Sequence, residues 1–512
     1  MTIQFLPAFI LGAITVIAVL CLIFRWFGLK KVRSFYIWVG VLAVLGGAWA
    51  FLFPLAIHAD FSKNGDGAAL RQMLIYTTGG VLGVITLGEN HRKNSLEKAK
   101  NDQEHLRQVH AERRSRYTTA IEQLSNDKAS IRLGGVYTLV GLVDEWLADE
   151  KTIPNIEERR KEGQVIINNL CAYIRSPFLL AERAKQLDGP YTKDLQEDFG
   201  GDKEKFDADK RAFSRDKAAL EEERQIRQSI IKEIRERLQD IGTPNSWSKF
   251  DYNFSNAHYF YVVSFGYSYF SASSKFTGAV FLQDADFSRV KFTERAPFFG
   301  ATFTERVDFS RVKFTERAPF SGATFPQGVD FSGATFPQGV DFSRATFSWT
   351  ANFSGAEFTG NADFSGAEFT QNAHFSEAEF TQNAHFSEAE FNGNADFSEA
   401  EFTGNAYFSE AEFAEASFSW AEFAEASFSG AEFTKIAHFH KAAFENKPIF
   451  EYTLDNKTYK ARFSCKVAPG DYNFEVSHIS PYKIETEEQE HNSVKFIIPK
   501  GTELFDPDDP FV

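Results

Sequence analysis

The chain has 512 residues, of which 43% are hydrophobic and 24% are charged, and its formal net charge at pH 7 is −15. This acidic balance gives no basis for direct nucleic-acid binding, because such binding depends on Lys and Arg that neutralise phosphates. The three cysteines, Cys21, Cys171 and Cys465, have neither metal-ligand nor redox spacing, so the sequence excludes a cysteine metal centre and a dithiol site.

The first 88 residues are predicted to form a membrane anchor. Residues 5–24 and 34–57 are free of charge, and each run can span a ~30 Å hydrocarbon core as a helix. A third helix is predicted over residues 68–88, with the charged end of Arg71 reaching toward the interface. A buried core helix is the alternative for any single apolar run. A cleaved signal peptide does not fit, because residues 1–4 contain no basic residue.

The placement of Arg and Lys predicts the topology of this anchor. The loop after the first helix carries Arg25, Lys30, Lys31 and Arg33. That loop is therefore expected in the cytoplasm. Basic residues also follow Gly88, which predicts that the chain beyond the third helix is cytoplasmic. If residues 68–88 do not cross, the whole remainder lies outside the cell instead.

A helical region follows the anchor. Residues 89–116 are rich in charge and contain neither Pro nor Gly, which predicts a helical stalk. Residues 117–250 are predicted to form a helical module, because apolar residues recur there at helical spacing. Examples are Val136, Leu139, Val140 and Val143. Its last helix, over residues 202–242, is expected to cap the domain that follows.

From Phe254 to Phe450, phenylalanine recurs mostly at alternating intervals of five and six residues. Ala or Val stands two residues before almost every one, and Ser or Thr usually follows it. This period builds no stripe on an α-helix, and a flat strand would send alternate Phe side chains to opposite faces. A coil that turns a corner after each Phe directs all of them to its axis. The spacing therefore predicts a solenoid.

Identical segments give the size of the repeating unit. The segment KFTERAPF at 291–298 recurs at 313–320, an offset of 22 residues that corresponds to four sides of a coil. The segment that begins at Phe369 recurs after 11 residues, or half a turn. Links such as 359–361 and 326–328 hold the extra residue of the six-residue steps, and left-handed backbone is expected there. The run amounts to about nine turns and a rod of roughly 45 Å.

These repeats resemble the pentapeptide-repeat family, in which a central Leu or Phe follows Ala by two positions with a polar residue between them. The matching motifs AEFT, AEFN and AEF lie at 367–370, 389–392 and 421–423. The resemblance implies a right-handed quadrilateral β-helix over residues 251–450. Residues 116–137 and 167–177 are also similar to a stretch that precedes the rod in bacterial membrane-anchored members.

The predicted fold class is therefore α+β multidomain, with transmembrane helices, a helical module and a β-solenoid in that order. The predicted core is represented by Phe358, Phe364, Phe369, Phe375 and Phe380. Residues 451–512 alternate apolar and polar residues and have turn signals at Asp455-Asn456 and Pro469-Gly470. They are predicted to form a small β-rich C-terminal tail or cap.

No catalytic or metal site is predicted. His374 and His385 are 11 residues apart, which places them on opposite walls of a four-sided coil. The acidic residues beside each Phe point outward, whereas paired acid–base carboxylates need a pocket that a filled rod does not offer. We therefore expect neither enzymatic activity nor a cofactor.

The charge distribution suggests what the rod does. Residues 351–450 contain seventeen Asp or Glu against three Lys or Arg, whereas residues 251–350 contain nine of each. The expected acidic surface is represented by Glu379, Glu390, Glu401 and Glu412. The predicted function is a scaffold in the cell membrane whose cytoplasmic repeat domain binds a protein partner, with homo-oligomerisation left open. Some soluble pentapeptide-repeat proteins mimic duplex DNA and bind type II topoisomerases, so an acidic decoy is the alternative.

Overall fold

The computed structural model of this chain contains two compact units, Met1–Glu112 and Arg113–Val512. The residues that it describes are 10–16, 35–57, 59, 61–62, 66–192, 199–200, 202–240, 243 and 246–508.

The first unit is helical. Residues 10–16 are helical, and the rest of the predicted span 5–24 lies outside the described residues. Helix α1, Phe35–Ala56, coincides with the second predicted span. Helix α2, Gly67–Leu124, begins at the third predicted span and includes the whole predicted stalk. Both helices are long and apolar enough to cross a membrane.

The second unit begins with a helical module. Its further α-helices are α3, Ala129–Ala148, α4, Ile156–Arg175, α5, Ala184–Asp188, and α6, Lys203–Leu238, and its two 3-10 helices are Ala181–Arg183 and Trp247–Lys249. Side-chain caps fix the starts of α4 and α6. Asn155 accepts a hydrogen bond from the amide of Glu157 (2.9 Å), and Asp202 accepts from the amides of Glu204 and Lys205.

Helices α4 and α6 cover the start of the solenoid. The apolar stripe of α6 is buried in the same core as the first solenoid turn, through Ile230 and Ile234. The amide of Gln239 donates to the carbonyl of Gly266 (2.8 Å), and Gln164 of α4 exchanges two hydrogen bonds with the backbone of Asp251. The module thus satisfies backbone groups of the first turn that would otherwise form a free edge.

The solenoid is built from short parallel strands, each paired with the strand 22 residues further along. Phe347 is in register with Phe369, and Phe369 with Phe391. Each turn has four such segments. We number the four faces of the rod by the buried aromatic residue of the first turn: Phe254 for face 1, Tyr259 for face 2, Phe265 for face 3 and Phe270 for face 4.

Most strands are two residues long. Those of face 1 are Tyr252–Asn253, Ser274–Lys275, Ala318–Pro319, Val340–Asp341, Ala362–Asp363 and Ala384–His385. Those of face 2 are His258–Tyr259, Val280–Phe281, Thr302–Phe303, Thr324–Phe325, Thr346–Phe347 and Glu368–Phe369. Those of face 3 are Val263–Ser264, Ala285–Asp286, Val307–Asp308, Val329–Asp330, Ala351–Asn352 and Ala373–His374. Those of face 4 are Tyr269–Phe270, Lys291–Phe292, Lys313–Phe314, Glu357–Phe358, Glu379–Phe380 and Ala443–Phe444.

Toward the C-terminal end the strands lengthen and run through a corner. The strands Glu390–Asp396, Glu412–Ser417 and Glu432–His438 join face 2 to face 3, and Glu401–Tyr407 and Glu422–Ser427 join face 4 to face 1. These longer strands begin where the steps shorten toward five residues, so the backbone passes the corner without leaving the sheet.

Four columns of aromatic rings fill the axis. Phe369 stacks on Phe347 and on Phe391, with ring centroids 4.7 Å apart in both pairs. Rings of different columns meet edge to face, as Phe364 does with Phe375 at 5.3 Å and 88°. Both geometries are favourable for aromatic pairs. Each ring therefore has partners above, below and across the axis, and burial depends on the neighbouring turns.

The order predicted from the sequence, helices followed by a Phe-filled β-solenoid, is confirmed. The right-handed quadrilateral description stays a prediction. In the first turn, Tyr259 and not Phe260 occupies the face 2 column, where it stacks on Phe281 at 4.6 Å. Phe260 is instead buried against Phe178 of the helical module (5.4 Å).

The prediction that links 359–361 and 326–328 are left-handed is wrong. Left-handed residues lie in the five-residue corners, as at Gly366 (φ +63°) and Glu377 (φ +57°). There the amide of the next residue bonds back to the carbonyl of Phe, as Ala367 does to Phe364 (3.0 Å). The third residue of such a four-residue turn needs positive φ. The longer links have an extra residue with which to turn, so most of them do not.

The C-terminal segment extends the columns. Arg462–Ser464 pairs with the strand Glu432–His438, and Phe463 stacks on Phe433 at 4.9 Å. The strands of this segment are Glu451–Leu454, Lys457–Lys460, Arg462–Ser464, Tyr472–Asn473, Thr486–His491, Val494–Pro499 and Glu503–Phe505, with a 3-10 helix at Pro469–Asp471. Two antiparallel hairpins therefore interrupt a last, irregular part of the coil, which covers the end of the Phe columns.

Candidate interaction surface

The buried columns determine which side chains reach solvent. The predicted core residues Phe358, Phe364, Phe369, Phe375 and Phe380 are all at most 1% exposed. On faces 2 and 4 the residue just before the column Phe is the outward one, because successive side chains of a strand point to opposite sides. Each turn therefore presents one outward residue at a fixed place on each of these faces.

Glutamate occupies that place in four successive turns on both faces. On face 2, the strand register pairs Glu368, Glu390, Glu412 and Glu432 in sequence. On face 4, it pairs Glu357, Glu379, Glu401 and Glu422. We call these rows the face 2 ladder and the face 4 ladder. Neighbouring strands lie ~4.8 Å apart, so each ladder is a row of closely spaced carboxylates.

The four predicted acidic-surface residues are not one cluster. Glu390 and Glu412 belong to the face 2 ladder, and Glu379 and Glu401 belong to the face 4 ladder. All four are exposed. Spacing along the sequence did not show that residues 11 apart alternate between two faces, whereas residues 22 apart share one.

Repulsion within a ladder is visible at Glu412. Partial burial raises the pKa of its carboxyl, and the charges of Glu432 and Glu390 raise this pKa further. The ladder ends at a cation, because Arg462 donates to Glu432 at 2.8 Å. The face 2 ladder therefore holds negative charge at some cost to itself, and the C-terminal segment neutralises its last member.

A further set of acidic residues was missed in the sequence analysis. Glu377 and Glu399 occupy left-handed corners between faces 3 and 4, and Glu388 and Glu410 occupy those between faces 1 and 2. All four are exposed. Their signal in the sequence is the triplet Ser-Glu-Ala that follows Phe every 11 residues, and it could have been recognised. These corners widen each ladder into a band.

The sign of the charge changes along face 4. From residue 345 to residue 434 the chain has sixteen Asp or Glu and no Lys or Arg. Nearer the start of the rod, Lys291 and Lys313 take the outward place on face 4, in register with each other. Thr335 pairs with both Lys313 and Glu357, so basic and acidic residues form one continuous row.

The two histidines are not brought together. His374 lies on face 3, in register with Asn352 and Asp396, and His385 lies on face 1, where its ring stacks on Tyr407 at 5.0 Å. Across the described residues, no group of three or more His, Cys, Asp or Glu side chains is placed to hold a metal ion.

The cysteines do not form a site either. Cys171 is buried in the helical module, and burial raises the pKa of its thiol to about 12. That thiol therefore stays protonated at neutral pH and is a poor nucleophile. Cys465 is half-buried in the C-terminal segment, and Cys21 lies outside the described residues.

Comparison with known families agrees with this geometry. A family described as "Pentapeptide repeats (9 copies)" matches residues 298–346, 342–390, 353–401, 375–419 and 397–443. These overlapping matches together span residues 298–443, the part of the chain that contains both glutamate ladders. No curated protein matches the chain.

Proposed function

This chain is a pentapeptide-repeat protein, and we propose that it is a non-enzymatic scaffold, anchored in the cell membrane, that presents its acidic rod to a basic protein partner in the cytoplasm. The observation that carries the proposal is the pair of in-register glutamate ladders, in a stretch that contains no Lys or Arg. Exposed carboxylates held in rows on a rigid rod suit recognition of a complementary positive surface.

The apolar surface of the first unit supports the membrane anchor. Val44 of α1 and Val84 of α2 are 72% and 71% exposed. Large apolar side chains exposed in this number mark contact with lipid or another protein. The proposed topology places Glu112 in the cytoplasm. A fluorescent reporter fused after Glu112 is expected to fluoresce, and an exported phosphatase at the same point to stay inactive. The reverse pattern would place the rod outside the cell.

The interior of the rod argues for binding at its surface and against chemistry inside it. Between residues 254 and 450, stacked aromatic rings occupy the axis, and the carboxylates stand on the outside. General acid–base catalysis needs carboxyl groups whose environments separate their pKa values, usually within a pocket. The ladders instead repeat the same environment from turn to turn, which suits multipoint contact with a partner.

Affinity capture by the full chain tests the proposal. We expect a protein with a basic face to be retained at low salt and released as ionic strength rises, because added salt screens exposed charges. Capture of a partner whose retention is unchanged between 50 mM and ~500 mM salt would contradict recognition by the ladders. A partner retained by the anchor alone, the unit Met1–Glu112, would contradict it as well.

One observation also favours the alternative function, a decoy for a DNA-binding protein. Sixteen carboxylates without a basic residue over 90 residues create the kind of one-signed rod that such a protein binds. The test is inhibition of DNA supercoiling by a type II topoisomerase, with the unit Arg113–Val512 as the added protein. We expect no inhibition even at low salt. Inhibition that duplex DNA relieves by competition would favour the decoy over the scaffold.

A further inference from the structure

Face 4 carries basic residues at one end and acidic residues at the other. Its outward row reads Tyr269, Lys291, Lys313, Thr335, Glu357, Glu379, Glu401 and Glu422, each in register with the next. The corner beside this row reads Tyr267, Arg289, Arg311, Gly333, Gly355, Glu377 and Glu399. The two rows change sign at the same level of the rod, between Lys313 and Glu357.

These charges have no ion-pair partners within the described part of the chain. Arg289, Lys291, Arg311 and Lys313 are all exposed, and so are Glu377, Glu379, Glu399 and Glu401. No salt bridge within 4.0 Å involves any of the eight, although ion pairs occur elsewhere on the rod, as between Arg317 and Asp341 at 3.1 Å. The eight residues therefore present an unneutralised pattern of both signs to solvent.

We propose that two copies of this chain pack face 4 against face 4, with their rods antiparallel, about a two-fold axis that passes between the levels of Thr335 and Glu357. In this arrangement each level of one rod meets one level of the other. Lys313 meets Glu379 of the second copy, and Lys291 meets its Glu401. In the corner row, Arg311 meets Glu377 and Arg289 meets Glu399. The two-fold axis repeats each of these four pairs.

The register is set by complementarity along both rows. No two like charges of these rows face each other at this axis. A shift of the axis by half a turn toward the C-terminal end would place Glu357 opposite its own copy. At the centre, Gly333 faces Gly355, and both lack side chains that would hold the corners apart. The contact is isologous and closed, so it yields a dimer and not a filament.

This inference goes beyond the scaffold role, because the dimer would form whether or not another protein binds. It also leaves the face 2 ladder free for such a partner. The covered residues are charged, so the dimer is expected to weaken with salt and to depend on charge sign more than on apolar contact.

Crosslinking of the full chain in its membrane tests the dimer. Thr335→Cys places a thiol beside the two-fold axis, within reach of the same thiol on the second copy through a short bifunctional maleimide. Thr346→Cys is the matched control, because Thr346 holds the same outward place on face 2 and is half-buried like Thr335. We expect a covalent dimer from the first variant and none from the second. Absence of a Thr335→Cys dimer would overturn the proposal.

Charge exchange on the Thr335→Cys background tests the register. One tagged copy carries Glu at positions 289, 291, 311 and 313, and a second, differently tagged copy carries Lys at positions 377, 379, 399 and 401. Glu already occupies the equivalent corner and ladder places elsewhere in the rod, so the first set suits the fold. Each copy alone is expected to lose crosslinking about tenfold, and the two copies expressed together to crosslink to each other.

Two results would overturn this register. The first is unchanged self-crosslinking of either charge-exchanged copy. The second is loss of crosslinking in each copy without recovery when both are present. Glu368→Lys with Glu390→Lys reverses charge on face 2 and is expected to leave the Thr335→Cys dimer unchanged. Because the readout needs no other protein, failure of the dimer is distinguishable from failure of the scaffold function.

Discussion

The helical module and the solenoid bury their cores by different means. In the module, Arg227 of α6 is 1% exposed and donates to Glu223 (2.8 Å) and to the carbonyls of Ile174 and Ser176 (2.7 and 2.8 Å). In the solenoid, the same ring contact repeats along four columns with no buried charge. The module thus depends on a few contacts that occur once, whereas the rod depends on one contact that recurs.

The largest expected effect breaks the recurring contact. Phe369→Ala removes a fully buried ring that stacks on both neighbouring turns, and it should lower the free energy of unfolding by about 3–5 kcal/mol. Urea denaturation of the unit Arg113–Val512 measures it. Glu368→Ala, one residue away and pointing outward, should change stability by less than about 0.5 kcal/mol. Equal losses for the two variants would contradict the inward register.

An effect of similar size should break the contact that occurs once. Arg227→Ala leaves Glu223 buried and without its closest partner, and removal of one member of a buried pair costs about 3–5 kcal/mol. Arg227→Lys should not restore the loss, because an ammonium cannot reach the three acceptors that the planar guanidinium bonds. Arg211→Ala, on the exposed side of α6, is the control. Full stability in Arg227→Lys would show that charge alone suffices.

The corners should show a smaller effect, of opposite sign at two equivalent places. Glu377 is left-handed (φ +57°), so Glu377→Gly should raise the free energy of unfolding by up to about 1 kcal/mol. Gly366 has the same conformation (φ +63°), so Gly366→Ala should lower it by about 1 kcal/mol. Glu357→Gly lies in a strand and should destabilise the rod. Destabilisation by Glu377→Gly would mean that its carboxylate, not its backbone, matters there.

The smallest expected effect concerns pH. The pKa of Glu412 is raised by burial and by its ladder neighbours, so ionisation of this carboxyl opposes folding. Its contribution is most favourable below about pH 4, where the carboxyl is protonated in both folded and unfolded chains, and is lost as pH rises through the raised folded pKa. Glu412→Gln should therefore raise the urea midpoint at pH 7 and not at pH 4. A gain that is equal at both pH values would contradict ladder repulsion.

The contrast between module and rod also explains what the sequence could predict. A period of 22 residues fixes every Phe of the columns and every outward Glu, because one register serves all turns. Arg227 gives no such signal, since its acceptors lie about 50 residues away and depend on how α4 and α6 meet. The left-handed corners were misplaced because Gly and Asn occur in both kinds of link, and the turn length decides between them.

The most direct test of the account compares two sets of charge-neutralising substitutions in their affinity for the captured partner. Glu368, Glu390 and Glu412 changed to Gln remove three charges from the face 2 ladder and leave face 4 intact. Glu475, Glu485 and Glu490 changed to Gln remove three exposed charges from the C-terminal segment. We expect the first variant to bind the partner at least about tenfold more weakly at low salt, and the second to bind like the parent. Equal affinities for both variants would contradict the claim that the ladder is the interaction surface.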